Sequence, residues 1–448
     1  MPNEQAQSNF GQTTFITPSD QQLQHVEHNG NLQLPMNPPS DSEMEKSVLV
    51  AVTNEKVCNY LPHDIVLFIL SKLPLKSLKR FQCVCKLWSL LFGNPRFMKM
   101  YTDNIIHGNH PYYDDTFLVL HKLLPRTYEY SNHCDFYWLS GDKFENRVKV
   151  DWPHPFQEDD TDIYIVGSSV DGILCLKQGF TCTRQVVLWN PTTRESKVIP
   201  TSPVENIPPD RTPWLFLHGF GYDHVSGDYK VIQMIDFFAE NSVEDEGDLI
   251  WEDKSYDPLW EVYSLKNNSW KKLDFDMRNC YFYSSLGGMG VYMDGFFHWW
   301  AKSESKNIEE CLLSFDFSNE VLLTTPKPSN MDGSFDSRFV VRHLTLLNES
   351  ITLISTYLKN MSTFRISILG KLGARESWIN LFIVGPLPFV NFPIGVGNKN
   401  NIVFFSKGDK ELVWVDLRTQ MIEKLGVKGD KFDCHIGKYK KSFLPIKG

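Results

Sequence analysis

A strand-like unit recurs along this chain at a spacing near 50 residues, and that period limits the folds open to it. Each copy joins an apolar strand to a polar turn and then a second strand. One copy runs Leu188-Trp189-Asn190-Pro191-Thr192-Thr193-Arg194 and continues to Val198-Ile199-Pro200. Val262 to Trp270, Ser314 to Asn319 and Trp414 to Thr419 repeat the pattern. Anchored on Asn190, Ser264, Asp316 and Asp416, the copies lie 74, 52 and 100 residues apart. A weaker copy, Phe364 to Leu369, sits midway through the interval of 100, and Phe136 to Ser140 lies about 50 residues before Asn190. The interval of 74 is stretched by an insert at 240–258. About six such units predict a β-propeller; a β-sandwich with accidental similarity is the competing architecture.

The region from residue 115 to 448 is strand-like throughout, as in Thr116-Phe117-Leu118-Val119-Leu120 and Asn401-Ile402-Val403-Phe404-Phe405. Aromatics make up 13% of the chain, which suits sheets, where rings pack on the pleat. Asp171-Gly172 and Asp294-Gly295 predict tight turns at the inner edge of a unit. A ring must tie its last unit to its first, because open strand edges aggregate. The predicted closing strand lies near Cys434 to Leu444, with Ile436, Tyr439 and Phe443 available for packing.

Residues 1–55 are rich in Gln, Asn, Ser and Pro and are expected to be a disordered polar tail. At Leu61 the texture changes. Leu61-Pro62-His63-Asp64 opens a helix with six consecutive apolar residues, Ile65 to Leu70, and Leu73-Pro74 stops it. A second helix carries Leu75, Leu78 and Phe81, and a third is expected near Val84 to Phe92. A helix apolar on nearly every face must be covered on both sides, and two short sister helices cover one. The remaining surface predicts a protein partner. Residues 61–100 hold seven basic side chains against Asp64 alone, although the whole chain carries −9. The partner surface should therefore be acidic and apolar. The third helix, Cys85-Lys86-Leu87-Trp88-Ser89-Leu90-Leu91, lacks the Arg, Asn and Gln that read base edges, so DNA is not the expected partner. A plain helical cap on the β region is the duller alternative.

The helical segment, 56–102, resembles the F-box, through Leu61-Pro62, Ile69-Leu70, Leu73-Pro74-Leu75-Lys76-Ser77-Leu78, Arg80-Phe81, Val84-Cys85-Lys86 and Trp88. Residues 115–448 resemble the F-box-associated, kelch-like interaction domain of plant F-box proteins. That likeness rests on Ser169 to Cys175, Trp189 to Thr193, Gly219-Phe220-Gly221-Tyr222-Asp223 and Tyr229-Lys230-Val231-Ile232. The resemblance implies a mainly β chain with a small α domain: a three-helix F-box, then a kelch-like propeller of about six repeats. It implies the substrate-recognition subunit of a Skp–cullin–F-box ubiquitin ligase. Leu61, Pro62, Leu73, Pro74 and Trp88 would meet the Skp adaptor, with Ile65, Leu78 and Cys85 as neighbours. Through the adaptor the chain would reach a cullin, and it would present a protein client. The long tail and the insert depart from the family pattern, so no family role transfers to them.

Signals for catalysis are weak, and no metal or cofactor is expected. Cys83 and Cys85 have no second Cys/His pair at zinc spacing. Cys175 and Cys182 read as buried thiols, and His133-Cys134 are sequence neighbours, which rarely take the geometry of a base and nucleophile. Gly287-Gly288-Met289-Gly290 precedes a strand, not a helix, so it is no phosphate loop. The alternative function is a propeller that binds a ligand or glycan outside a ligase; a propeller enzyme is the third. The insert carries eight acids, including Glu244, Asp245 and Glu246, against Lys254, and could form an acidic lip for a basic client. The first basic residue is Lys46, no 18-residue apolar run exists, and nine cysteines cannot all pair. Cytoplasm and/or nucleus is therefore the expected location, with no membrane or nucleic-acid partner.

Overall fold

The computed structural model describes residues 62–446 with interruptions. The longer stretches outside the described residues are 102–115, 124–133, 157–162, 240–255, 276–279, 282–289, 304–308, 328–338 and 398–401. The expected tail at 1–55 lies outside them, as do Leu61, Pro74, Cys85 and Phe443.

Two helices open the described chain: α1 (His63–Ser71) and α2 (Leu75–Phe81). Asp64 stands in the first turn of α1, where a carboxylate favours the helix dipole. Its last turn tightens, with Lys72 N bonding Ile69 O and Leu73 N bonding Leu70 O at 3.1 Å. The expected third helix near 84–92 falls mostly outside the described residues, and Val84 and Leu90 sit in turns. Trp88 is helical within the expected span, and helix also appears at 95–97 and 99–101. Asn94 explains it: its Oδ1 accepts from Arg96 N at 2.9 Å and Phe97 N at 3.2 Å, with Pro95 at the first helical position.

The strands form antiparallel, propeller-like sheets. One four-stranded sheet holds β4 (Ile163–Ile165), β5 (Leu174–Gln178), β6 (Gln185–Asn190) and β7 (Glu195–Ile199). The next holds β8 (Arg211–Asp223), β9 (Asp228–Ala239), β10 (Leu259–Ser264) and β11 (Ser269–Leu273). A third holds β12 (Cys280–Tyr281), β13 (Val291–Met293), β14 (Phe296–Ser303), β15 (Glu309–Asp316) and β16 (Val321–Pro326). A fourth holds β17 (Val340–Leu347), β18 (Ser350–Tyr357), β19 (Asn360–Leu369) and β20 (Trp378–Val384).

The remaining strands make an eight-stranded sheet. One half is β21 (Val390–Val396), β22 (Ile402–Lys407), β23 (Glu411–Asp416) and β24 (Ile422–Lys428). The other runs β25 (Cys434–Lys440), β1 (Thr116–Leu123), β2 (Cys134–Ser140) and β3 (Asn146–Lys149). A lone parallel bridge, Gly395 to Ile436, joins the halves among the described residues. The last strand thus pairs with the first, with Ile436 and Tyr439 buried as the closing reading requires.

The repeat has a local cause. Each anchor residue ends a strand and caps the turn behind it. Asn190 Oδ1 accepts from Thr192 N and Thr193 N at 3.0 and 3.3 Å. Asp316 Oδ1 takes Ser318 N and Asn319 N at 2.9 and 3.1 Å, and Asp416 Oδ1 takes Arg418 N and Thr419 N at 2.8 and 3.1 Å. Ser264 Oγ accepts from Asn267 N at 3.1 Å. Four residues after each anchor, Arg194, Asn268, Glu320 and Gln420 take positive φ of 50–63° and return the chain. Asp171-Gly172 and Asp294-Gly295 both sit at positive φ between first and second strands, where tight hairpins were expected.

Apolar clusters lie between sheets. Val231 and Ile232 of β9 share one with Phe297 and Trp299 of β14 and Phe315 of β15. A Cβ added at Gly221 would land in the Phe317 ring, so β8 approaches the next sheet only because that position is bare. Leu67, Leu70, Leu78, Leu91, Phe97 and Tyr101 belong to the same buried cluster as Phe364, Val384 and Phe405. Among the described residues, no helix is long and apolar enough to cross a membrane.

Candidate functional site

Helix α1 is divided along its length. Leu67, Leu70 and Ser71 are buried, whereas Asp64, Ile65, Phe68, Ile69 and Lys72 are exposed. Ile65, Phe68 and Ile69 follow i, i+3, i+4 spacing and so form one continuous apolar stripe. Polar groups bracket it. Lys72 Nζ stands 4.2 Å from the Phe68 ring centroid, and Arg96 reaches Asp64 Oδ1 at 2.7 Å. The stripe leaves apolar surface in solvent with a cation at its end.

The residues expected at the adaptor contact separate into groups. Ile65 and Pro62 are exposed. Leu73 and Trp88 are half-buried against the chain's own core, and Trp88 meets Phe81 edge-on at 5.6 Å. Leu78 is 0% exposed, so in this structure it fastens α2 to the core. Leu61, Pro74 and Cys85 lie outside the described residues. Phe68 and Ile69 were missed as surface residues. Their i, i+3, i+4 spacing from Ile65 was visible, but six consecutive apolar residues hid which face would turn inward.

The two edges of the sheets differ. One carries the capped turns described above. The Gly219-to-Asp223 and Tyr229-to-Ile232 motifs meet there as a polar network. Lys230 Nζ donates to Phe317 O at 2.9 Å, to Glu320 Oε1 at 2.9 Å, and lies 3.1 Å from Asp223 Oδ2. Lys271 reaches the other Glu320 oxygen at 2.6 Å. Burial alone would raise the Asp223 pKa, but hydrogen bonds from Ser226, Ser318 and Lys230 hold it well below the usual carboxylate range. This network joins the β8–β11 sheet to the turn after β15.

The opposite edge carries the longer connections, including the insert between β9 and β10. Glu244, Asp245 and Glu246 lie outside the described residues. Cys175 is buried, and burial pushes its thiol pKa up. Among the described residues, no group of three His, Cys, Asp or Glu side chains could hold a metal ion.

Residues 59–100 match the F-box domain family, and residues 130–443 match the F-box associated beta propeller domain. The chain is 25% identical over 389 residues to F-box protein CPR1 of Arabidopsis thaliana, covering 84% of this chain and 85% of that protein. It is 25% identical over 386 residues to F-box/WD-40 repeat-containing protein 1 of the same plant, covering 80% and 79%. An F-box/kelch-repeat protein of that plant is 25% identical over 405 residues, covering 87% and 90%.

Proposed function

Because this chain belongs to the plant F-box proteins with an F-box-associated β-propeller domain, we propose that it selects clients for a Skp–cullin–F-box ubiquitin ligase. The observation that carries the reading is the exposed Ile65-Phe68-Ile69 stripe on a helix within the F-box match. The adaptor covers that stripe, Ile65 included, together with Leu61, Pro62, Leu73, Pro74 and Trp88, while Leu78 and Cys85 support the surface from behind. The cullin is reached through the adaptor.

Counting the halves of the eight-stranded sheet apart gives six groups of strands, which supports a propeller of about six repeats. It holds a protein client near a ubiquitin-loaded enzyme and contributes proximity, with no covalent chemistry of its own. The insert, through Glu244, Asp245 and Glu246, attracts basic clients. The complex works in the cytoplasm and/or nucleus.

The test is affinity purification of the full chain with and without proteasome inhibition. A receptor brings down a Skp-type adaptor in both conditions and a client that accumulates under inhibition. Absence of the adaptor would overturn the reading.

A ligand-binding role outside a ligase rests on one cleft of 360 Å³ lined by Gln178, Arg184, Gln185, Gln233 and Trp270 among others. Amides and an indole face suit a polyol or glycan. Saturable glycan binding together with failure to recover the adaptor would favour it.

A further inference from the structure

The 50-residue repeat carries a second, exposed feature on the edge opposite the capped turns. Phe339 stands just before β17 and Phe389 just before β21, so they occupy equivalent places 50 residues apart. The backbone around them matches. Leu358 N donates to Phe339 O at 2.8 Å, and Gly408 N donates to Phe389 O at 3.3 Å. Each ring carries a lysine from near the second-to-third-strand turn: Lys359 lies between β18 and β19, and Lys407 ends β22. Lys359 Nζ is 5.2 Å from the Phe339 centroid, and Lys407 Nζ is 6.0 Å from that of Phe389. The short link 385–389 joins the end of β20 to the start of β21, so both places open on the same edge.

Neither ring is spent on the core. Phe389 is 79% exposed and Phe339 38%, the latter edge-on to Tyr357 at 6.5 Å. Phe389 also holds φ +64°, a conformation disfavoured for a bulky side chain, and its neighbour Pro388 is exposed. The local charge is positive. Lys359, Lys407, Lys410 and Lys424 stand against Asp409 and Glu411: Lys407 Nζ lies 3.8 Å from Asp409 Oδ2 and 3.9 Å from Glu411 Oε2, and Lys424 Nζ lies 2.9 Å from the same Glu411 oxygen.

We propose that Phe339–Lys359 and Phe389–Lys407 form a paired docking surface for an acidic client segment that carries apolar residues between its carboxylates. The rings take the apolar side chains and the ammonium groups above them take the carboxylates. The proposal rests on the receptor reading and adds the chemistry of the client. The surface lies on other sheets than the one whose strands the acidic insert connects, and its lysines select charge of the opposite sign.

The full chain, purified with its adaptor, is titrated into three short labelled peptides: Glu/Leu, Lys/Leu and Glu/Ser. The Glu/Leu peptide should bind at least about tenfold more tightly than either other peptide, and more weakly as salt rises. Phe389→Ser and the pair Lys359→Glu with Lys407→Glu should each weaken it about tenfold. Phe389→Gly relieves the positive φ while removing the ring, and should weaken binding equally with no loss of melting temperature. Unchanged Glu/Leu binding by Phe389→Gly, or by the paired lysine variant, overturns the proposal. Adaptor recovery with the same variants reports on the ligase reading separately, since no substituted residue lies on the F-box.

Discussion

Ile436 sits directly opposite Leu120, so the last strand of the chain completes the sheet that the first strand begins. Both side chains are buried, and the pairing runs from Thr116–Lys440 to Lys122–Cys434. Sequence separation makes this closure costly to form and cooperative once formed.

Truncation after Gly429 removes β25 and exposes the edges of β1 and β21. The shortened chain should lose its cooperative melt and aggregate. Calorimetry and size-exclusion chromatography check this; a soluble monomer with an intact transition would show that β25 does not hold the ring.

On α1, Phe68→Ser with Ile69→Ser should abolish adaptor recovery at little cost to stability, because both side chains face solvent. Each lost anchor weakens binding by about 2 kcal/mol or more. Leu78→Ala should do the reverse, losing about 2–5 kcal/mol of stability through a buried cavity. Denaturant melts and co-purification separate the two effects; a folded α1 double variant with full adaptor recovery refutes the docking assignment.

Lys230→Met leaves Asp223 and Glu320 without the cation that both contact. The expected loss is roughly 2–4 kcal/mol, toward the low end for a broken buried pair because Glu320 reaches solvent. Urea unfolding measures it. A loss within about 0.5 kcal/mol would mark the network as incidental.

Burial lowers the imidazole pKa of His121 and His343 to about 4 and that of His298 to about 3, from 6.5. Between those values and 6.5 the unfolded chain binds more protons, so acid favours unfolding. The stability from these neutral rings is present above pH 6.5 and is lost as pH falls toward 4. Each contributes a slope of roughly 1.4 kcal/mol per pH unit within its window. Melting temperature should therefore drop between pH 7 and 5, and His343→Met should shallow the drop. An unchanged slope in that variant would place the pH response elsewhere.

Replacing Glu244, Asp245 and Glu246 by Ser should slow association of a basic client without touching adaptor recovery. The difference should shrink as salt rises, since charges beyond roughly 8 Å are screened at about 0.15 M. Association rates at two salt concentrations decide it; equal rates for both proteins would leave the insert without this role.

Local rules made much of this protein legible in its sequence. Asn190, Asp316 and Asp416 recur because each caps its own turn within three residues, and Asp171-Gly172 turns because both residues accept positive φ. Such interactions span a few residues, so spacing alone exposes them. The helical turn from Pro95 is equally local, since Asn94 caps it within three residues. Contacts between distant segments are different. Which side of α1 turns inward, why Leu78 is covered and Phe68 is not, and why Lys230 meets Glu320 depend on sheets brought together from far along the chain. A run of apolar residues states that burial will occur; only the packed neighbours decide which of them are left for a partner.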